Sequence, residues 1–248
     1  GFLGGRLMAG LLRSSPVRVT CLVRGASPAA ARARLISVLQ SAGLWDPAFA
    51  PRIAVVVGNL EKDGLGLSDA DRTLVQGADH IFHCAARISF LDSGEQLHEA
   101  NVGACRRIID LARSAGNIPV AYTSTVAVFY SGREARDTVT ELDRPSAASS
   151  DVASGYTGTK IQAEDLMRRA RADGLPVTVF RCGVLVGDGD WDPQYFHYRL
   201  LQAFLQSRSA FVDDINHFDR TPVDYAVRAM IHLARAPRPD DFVYHLSH

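Results

Sequence analysis

A tyrosine and a lysine stand four residues apart in the run Tyr156-Thr-Gly-Thr-Lys160. On a helix this spacing puts both side chains on one face. A tyrosine hydroxyl titrates near about 10, which makes it a poor acid–base group at neutral pH when it acts alone. A neighbouring ammonium stabilises the phenolate and lowers that value toward a useful range. The same ammonium can hold the hydroxyls of a ribose. Lysine is scarce in this chain: Lys62 and Lys160 are the two lysines among 27 basic residues, so a lysine in this register stands out. Upstream, the apolar run ending in Tyr122-Thr-Ser-Thr125 offers a hydroxyl that could donate to a carbonyl oxygen. Thr125 is the first choice and Ser124 the second, and either also reads as an ordinary strand hydroxyl. A strand-end hydroxyl, a tyrosine and a lysine are together the parts needed to hold and protonate a carbonyl oxygen as negative charge develops on it.

The chain opens with Gly1-Phe-Leu-Gly4-Gly and a helix-like run. Glycines ahead of a helix let the backbone approach a pyrophosphate, whose charge is met by free N–H groups and the helix dipole. Small residues also begin many helices that bind nothing. A second apolar run ends at Arg24, 20 positions after Gly4. An acidic residue near that point would hold a ribose 2′-hydroxyl, whereas an arginine suits a 2′-phosphate. Its guanidinium can grip the phosphate and stack on adenine. Arg34, on the next predicted helix, offers a second phosphate contact. Both arginines also fit as solvated groups, one at a strand end and one on a helix face.

Other chemistries lack their marks. There is no GxSxG turn for a serine hydrolase, no GxxxxGK[ST] phosphate loop and no HExxH or paired metal-ligand spacing, so no metal is expected. His83 beside Cys84 at a strand end reads as a packing residue rather than a base. The four cysteines, Cys21, Cys84, Cys105 and Cys182, are scattered. They read as free thiols in a reducing, cytoplasmic setting. Acidic and basic residues balance to a formal net charge of zero, giving no global attraction to nucleic acid or an anionic membrane. No apolar run reaches the ~18 residues that a membrane span needs.

The elements that must position these residues alternate along the chain. Helices are predicted at RLMAGLLRSS, PAAARARLISVLQSAG, SDADRTLVQ, GEQLHEANVGACRRIIDLARSAG and GYTGTKIQAEDLMRRARADG. Between them run VRVTCLVRG, RIAVVVGNL, ADHIFHCAA, PVAYTSTVAVF and PVTVFRCGVLVG, apolar and rich in β-branched residues, as strands. Alternation of this kind with nearly unbroken apolar strands predicts a Rossmann-like doubly wound α/β fold around a parallel sheet. Residues 130–153 are loop-like. After Gly187 the pattern loosens, with one helix near 195–207. PVDYAVRAMIHLARAP then reads as a helix with proline in its first turn, and DFVYHLS as a last strand. The predicted organisation is a dinucleotide-binding unit over 1–187, a substrate-binding segment over 188–222, and a helix and strand returning to the first unit over 223–248.

These runs resemble the extended short-chain dehydrogenase/reductase family. More narrowly, they are similar to the thioester reductase domains of nonribosomal peptide and polyketide synthases and of carboxylic acid reductases. The likeness extends nearly end to end through GFLGGRL, CLVRGAS, VVVGNLEKDGLGLSD, HIFHCAARISF, NVGACRRIIDLA, TSTVAVF, GYTGTKIQAEDL, VFRCGVLVGD and TPVDYAVRAMIHLA. The family begins with a strand and a TGxTGFLG turn. The resemblance therefore implies a strand and a glycine ahead of Gly1, and further substrate-side helices after the last strand. It implies NADPH as cofactor. Gly1, Phe2, Leu3 and Gly4 would line the pyrophosphate, Arg24 and Arg34 would bind the 2′-phosphate, and Asn59 and Leu60 would flank adenine. Ala85 and Ala86 would pass under the ribose, and Cys182, Gly183 and Val184 would border the nicotinamide. Position 59 is more often aspartate and position 182 more often proline in the family. Thr125, Tyr156 and Lys160 would form the catalytic set, with Lys160 also touching the cofactor. The implied activity is reductive release of an acyl or peptidyl thioester, presented on the phosphopantetheine of a carrier protein within a larger synthase. The product would be an aldehyde or, after a second hydride, an alcohol. An extended reductase acting on a free carbonyl compound or an acyl-CoA would share the same residues. A redox-inactive NADP-binding or cyclising release domain is the further alternative.

Overall fold

The apolar runs become short parallel strands with helices between them. The computed structural model describes residues 1–89, 91–129, 138–146, 154–187, 196–209, 220–235 and 242–247. In chain order, α1 (Phe2–Ser14) leads into β1 (Val19–Val23), α2 (Pro28–Ser41), β2 (Ile53–Val57), α3 (Asp69–Gln76) and β3 (Ile81–His83). Then come α4 (Gly94–His98), α5 (Ala104–Ser114), β4 (Val120–Thr125), α6 (Gly155–Ala172), β5 (Val177–Cys182) and β6 (Val184–Val186). The last elements are α7 (Phe196–Ser207), β7 (Arg220–Pro222), α8 (Val223–Arg235) and β8 (Val243–Leu246).

Every strand pair is parallel, as the doubly wound α/β reading requires. The pairing falls into three ladders: β1–β2, β3–β4–β5–β8 and β6–β7. Among the described residues β1 pairs with β2 alone and β3 with β4 alone.

Successive side chains on a strand point to opposite faces, and the two faces of the central ladder are covered differently. Val120, Tyr122, Val177 and Val179 enter one core with Ile108 and Ile109 of α5 and Met167 of α6. Ala121, Phe180 and Cys182 enter a second core with Leu3 and Leu7 of α1 and Ala226, Val227 and Met230 of α8. Met8, Ala9 and Leu12 of α1 enter a third, beside Leu39, Phe49 and Ile53 against the β1–β2 pair. One helix thus contributes to the cores of two ladders. Its last carbonyls, Leu12 O and Ser15 O just beyond, accept from the Arg52 guanidinium at 2.6 and 2.8 Å, which satisfies acceptors that a helix end leaves open.

Four local expectations are corrected. The helix predicted over 94–116 is interrupted by a π-helical turn at Glu99–Gly103, where Asn101 turns inward. The strand predicted through VAVF stops at Thr125, and Val126–Phe129 form a 3₁₀ turn. There Thr125 Oγ1 accepts from Ala127 N at 3.2 Å and diverts the backbone from the ladder. PVTVFRCGVLVG breaks into β5 and β6 because Gly183 N donates to Leu246 O at 3.0 Å, after which the chain pairs with β7. Pro222 closes β7 rather than opening the last long helix, which begins at Val223. Of the loop predicted over 130–153, positions 130–137 and 147–153 lie outside the described residues, as do 188–195 and 210–219 of the predicted substrate segment.

The seam between α1 and α8 closes over Gly10. A Cβ there would lie 2.8 Å from Val227 Cγ1 and 3.1 Å from Ile231 Cδ1, too close unless those side chains or the helices shift. Gly10→Val is therefore expected to destabilise the protein by about 1–3 kcal/mol, read as a lowered urea midpoint at an unchanged denaturant slope.

Candidate active site

Residues singled out by type and spacing, and others implied by the family resemblance, lie at one edge of the fold. Arg24 follows β1, Asn59 and Leu60 follow β2, and Ala85 and Ala86 follow β3. Thr125 ends β4 and Cys182 ends β5, directly opposite each other in register. In open parallel α/β sheets this carboxyl edge is where ligands bind.

Helix α6 brings Tyr156 and Lys160 to this edge. Its start is capped by Ser154, whose Oγ accepts from Thr157 N at 3.3 Å. Gly155 presses on the backbone that starts α4: a Cβ on it would sit 2.4 Å from Asp92 O and 2.6 Å from Gly94 N. Only glycine fits, so the first turn carrying Tyr156 is held flush against residues 92–94.

Lys160 is buried, and its Nζ donates to Thr123 O at 2.8 Å and to Tyr122 Oη at 3.2 Å. The ammonium lies 4.8 Å from the centroid of the Tyr122 ring and 6.0 Å from that of Tyr156. The direct effect expected from the sequence, a tyrosine pKa lowered by this lysine, is not what the structure gives. Burial, helped by nearby Cys182, pushes the Tyr156 hydroxyl above its ordinary value. Burial also pulls the Lys160 ammonium below its own, against an opposing pull from Cys105, Cys182, Glu164 and Cys84. The physical reason is satisfaction: a buried ammonium must find acceptors, and those in reach are on β4. Tyr156 is consequently a phenol that keeps its proton at neutral pH.

The two strand-end hydroxyls differ in their commitments. Ser124 is buried and donates to Glu164 Oε1 at 2.5 Å. Thr125 is half-buried and uses Oγ1 as acceptor for Ala127 N, which leaves its own O–H able to donate. His83 is buried with its ring tilted against that of Tyr122, centroids 5.7 Å apart, and its Nε2 has no hydrogen-bond partner among the described residues. Burial and the Lys160 charge bring its pKa down to about 3, so it is a neutral packing residue, as the sequence suggests.

Around this centre, Gly1 caps α1 with nothing within 4 Å of where its Cβ would be, and Gly4 faces Cys84 at 3.9 Å. Phe2 is half-buried, and Leu3 is packed into the core under β4 and β5. The structure brings Arg24 and Arg34 together: both are exposed, and Arg34 donates to the Arg24 carbonyl at 3.2 Å. Asn59 spends its Oδ1 on Glu61 N in a local turn, and Leu60 packs on the core while its carbonyl accepts from Arg107. Cys182 is buried, with its thiol pushed up to about 12 by burial. Gly183 and Val184 are half-buried beside it.

Three further residues escape sequence reasoning. Asn101, on the π-helical turn, accepts from Arg87 N at 2.8 Å and donates to Arg87 O and Thr159 Oγ1, both at 3.0 Å. It ties the segment after Ala86 to the helix turn next to Lys160. A polar residue on the buried face of an amphipathic helix was its only signal. Glu164, four residues after Lys160, and Arg181, inside an apolar strand, form a wholly buried ion pair.

Among the described residues there is no group of side chains that could hold a metal ion and no helix long and apolar enough to cross a membrane. Residues 1–230 match the model of an NAD-binding family described as "Male sterility protein". The chain belongs to this family. It is 34% identical over 251 residues to a component of the linear gramicidin synthase of Brevibacillus parabrevis, covering 99% of this chain and 5% of that protein. It is 33% identical to glycine betaine reductase ATRR of Emericella nidulans, over 100% of this chain and 20% of that one. Among solved structures, the terminal R domain from the myxalamid PKS-NRPS biosynthetic pathway superposes with a TM-score of 0.90 at 35% identity. That match covers all of this chain and 64% of the other. The chain thus spans a small part of these two relatives and about two thirds of that R domain.

Removing the Asn101 clamp tests its part in this family member. Asn101→Leu leaves the Arg87 N–H and carbonyl unpaired and should cost about 1–3 kcal/mol, measured by thermal or urea unfolding.

Proposed function

We propose that this chain is the NADPH-dependent reductase domain of a multidomain synthase, releasing a carrier-bound acyl or peptidyl thioester as an aldehyde. The observation that supports this reading best is the gathering of Thr125, Tyr156 and Lys160 at the carboxyl ends of parallel strands, in a chain so similar to an R domain. The residues fit a dinucleotide. Arg24 and Arg34 present exposed guanidiniums at the end of β1. The two arginines suit a 2′-phosphate, which favours NADPH over NADH. Four free thiols support a reducing, cytoplasmic setting.

In this mechanism the thioester carbonyl oxygen accepts from the Thr125 hydroxyl and the Tyr156 phenol. A nicotinamide held beside Cys182, Gly183 and Val184 would supply the hydride that the carbonyl carbon receives. Tyr156 gives its proton to the oxygen as charge develops there, and its high proton affinity in this site keeps it loaded at neutral pH. The phenolate that remains is stabilised by the Lys160 ammonium, two of whose donors are held by Thr123 O and Tyr122 Oη. The third is available to the phenolate or to ribose hydroxyls. The resulting hemithioacetal separates into an aldehyde and the carrier thiol. A further hydride transfer would deliver an alcohol.

Two outcomes test the reading in the full-length protein, with oxidation of NADPH followed at 340 nm on an octanoyl-phosphopantetheine thioester. Tyr156→Phe should lower kcat by ~10² or more while NADPH still binds, and retained turnover would reject the assignment. Removing both guanidiniums in Arg24→Ala/Arg34→Ala should weaken NADPH binding by ~10–100-fold and leave NADH binding unchanged. Equal loss for both cofactors would move the 2′-phosphate site elsewhere.

A further inference from the structure

Glu164 and Arg181 are exposed by 1% and 0%, the most deeply buried opposite charges among the described residues. Taking two charges out of water costs several kcal/mol per ion, and such pairs are frequently no more stabilising than apolar residues of equal volume. Stability is therefore a poor explanation for this pair, and its geometry suggests another. The carboxylate of Glu164 accepts from Arg181 Nε at 3.1 and 3.2 Å, from Arg181 Nη2 at 2.9 Å and from Ser124 Oγ at 2.5 Å. Ser124 and Arg181 are register partners on β4 and β5. Each immediately precedes a residue at the candidate site, Thr125 and Cys182. Glu164 lies four and eight residues after Lys160 and Tyr156, so all three share one face of α6.

The same guanidinium reaches further. Arg181 Nη1 donates to Asp143 O at 3.1 Å and lies 3.2 Å from His245 Nε2 on β8, and the group stacks 4.7 Å from the centroid of the Phe129 ring. It thereby joins the helix, two strands and the turn after Thr125 at one point. Apolar contacts seat the helix without a direction of their own, and the Lys160 bonds reach β4 alone. The Glu164 carboxylate adds directed bonds to β4 and β5 together.

We propose that the Glu164–Arg181 pair is a positioning device, fixing the register of α6 across β4 and β5 so that Tyr156 and Thr125 converge on one carbonyl oxygen. The proposal rests on the reading of Tyr156 as proton donor. It makes Glu164 and Arg181 positioning residues, since neither touches the reacting atoms.

The test uses the full-length protein and the octanoyl-phosphopantetheine assay with three variants. Glu164→Gln keeps the shape of the side chain but removes the charge and two acceptor sites. It should lower kcat by about 10–100-fold, as expected for a misplacement of order 1 Å, with KM and the NADPH dissociation constant within about twofold of the parent. Glu164→Leu/Arg181→Met removes both charges together, which proteins commonly accept without loss of stability. It should fold, bind NADPH and remain slow. A kcat at the parental level in either folded variant would overturn the proposal. Failure of both variants to fold would overturn it too, because the pair would then determine the fold rather than the alignment. Tyr156→Phe, run alongside, separates this outcome from the reading beneath it. A dead Tyr156→Phe with a fully active Glu164→Gln rejects the positioning role alone, whereas an active Tyr156→Phe rejects the proton donor itself.

Discussion

The contact of α6 with the carboxyl ends of β4 and β5 is the constraint on which the rest of this molecule depends. It buries three charged side chains, Lys160, Glu164 and Arg181, where most α/β interfaces bury aliphatic ones. Burial on this scale is tolerable only because the polar atoms find directed partners: Lys160 on Thr123 and Tyr122, Glu164 on Ser124 and Arg181, and Arg181 on carbonyl, imidazole and ring. The apolar cores on either face supply the cohesion. The charged seam supplies the alignment, and it is placed under the residues proposed to do chemistry.

The electrostatics of the seam follow from the same burial. Tyr156 holds its proton more tightly than a free tyrosine and Lys160 holds its own less tightly. Both shifts have the same origin, a dry environment that disfavours charge. A buried phenol of this kind releases its proton only when a stronger demand arises beside it. In the proposed reaction the negative charge developing on the carbonyl oxygen would be such a demand, which would tie proton transfer to hydride arrival.

Much of this was legible in the sequence, for reasons that differ by residue. Tyr156 and Lys160 could be paired because helical periodicity places residues four apart together without knowledge of anything else. Thr125 could be chosen because it ends an apolar run, and Arg24 because its distance from the glycines reflects one strand–helix–strand unit. The doubly wound architecture followed from the alternation of unbroken apolar runs with amphipathic ones. What could not be read was long-range. Ser124 is set apart from Thr125 only by a carboxylate 40 residues away. Gly183 breaks its strand for a carbonyl on β8, and Asn101 bends its helix toward the segment following β3. The raised affinity of Tyr156 for its proton is a property of burial, which spacing does not encode.

Helix α1 has one end under β4 and β5 and the other against the β1–β2 pair, with residues in the cores of both. Among the described residues α1 thus packs against both groups of strands. An anion seated at its N-terminus draws free energy from the helix as a whole and not from either group alone. With the proposed cofactor seated there, occupancy and cohesion of the two ladders would be thermodynamically linked, and the apparent firmness of the protein would become a function of how much cofactor surrounds it.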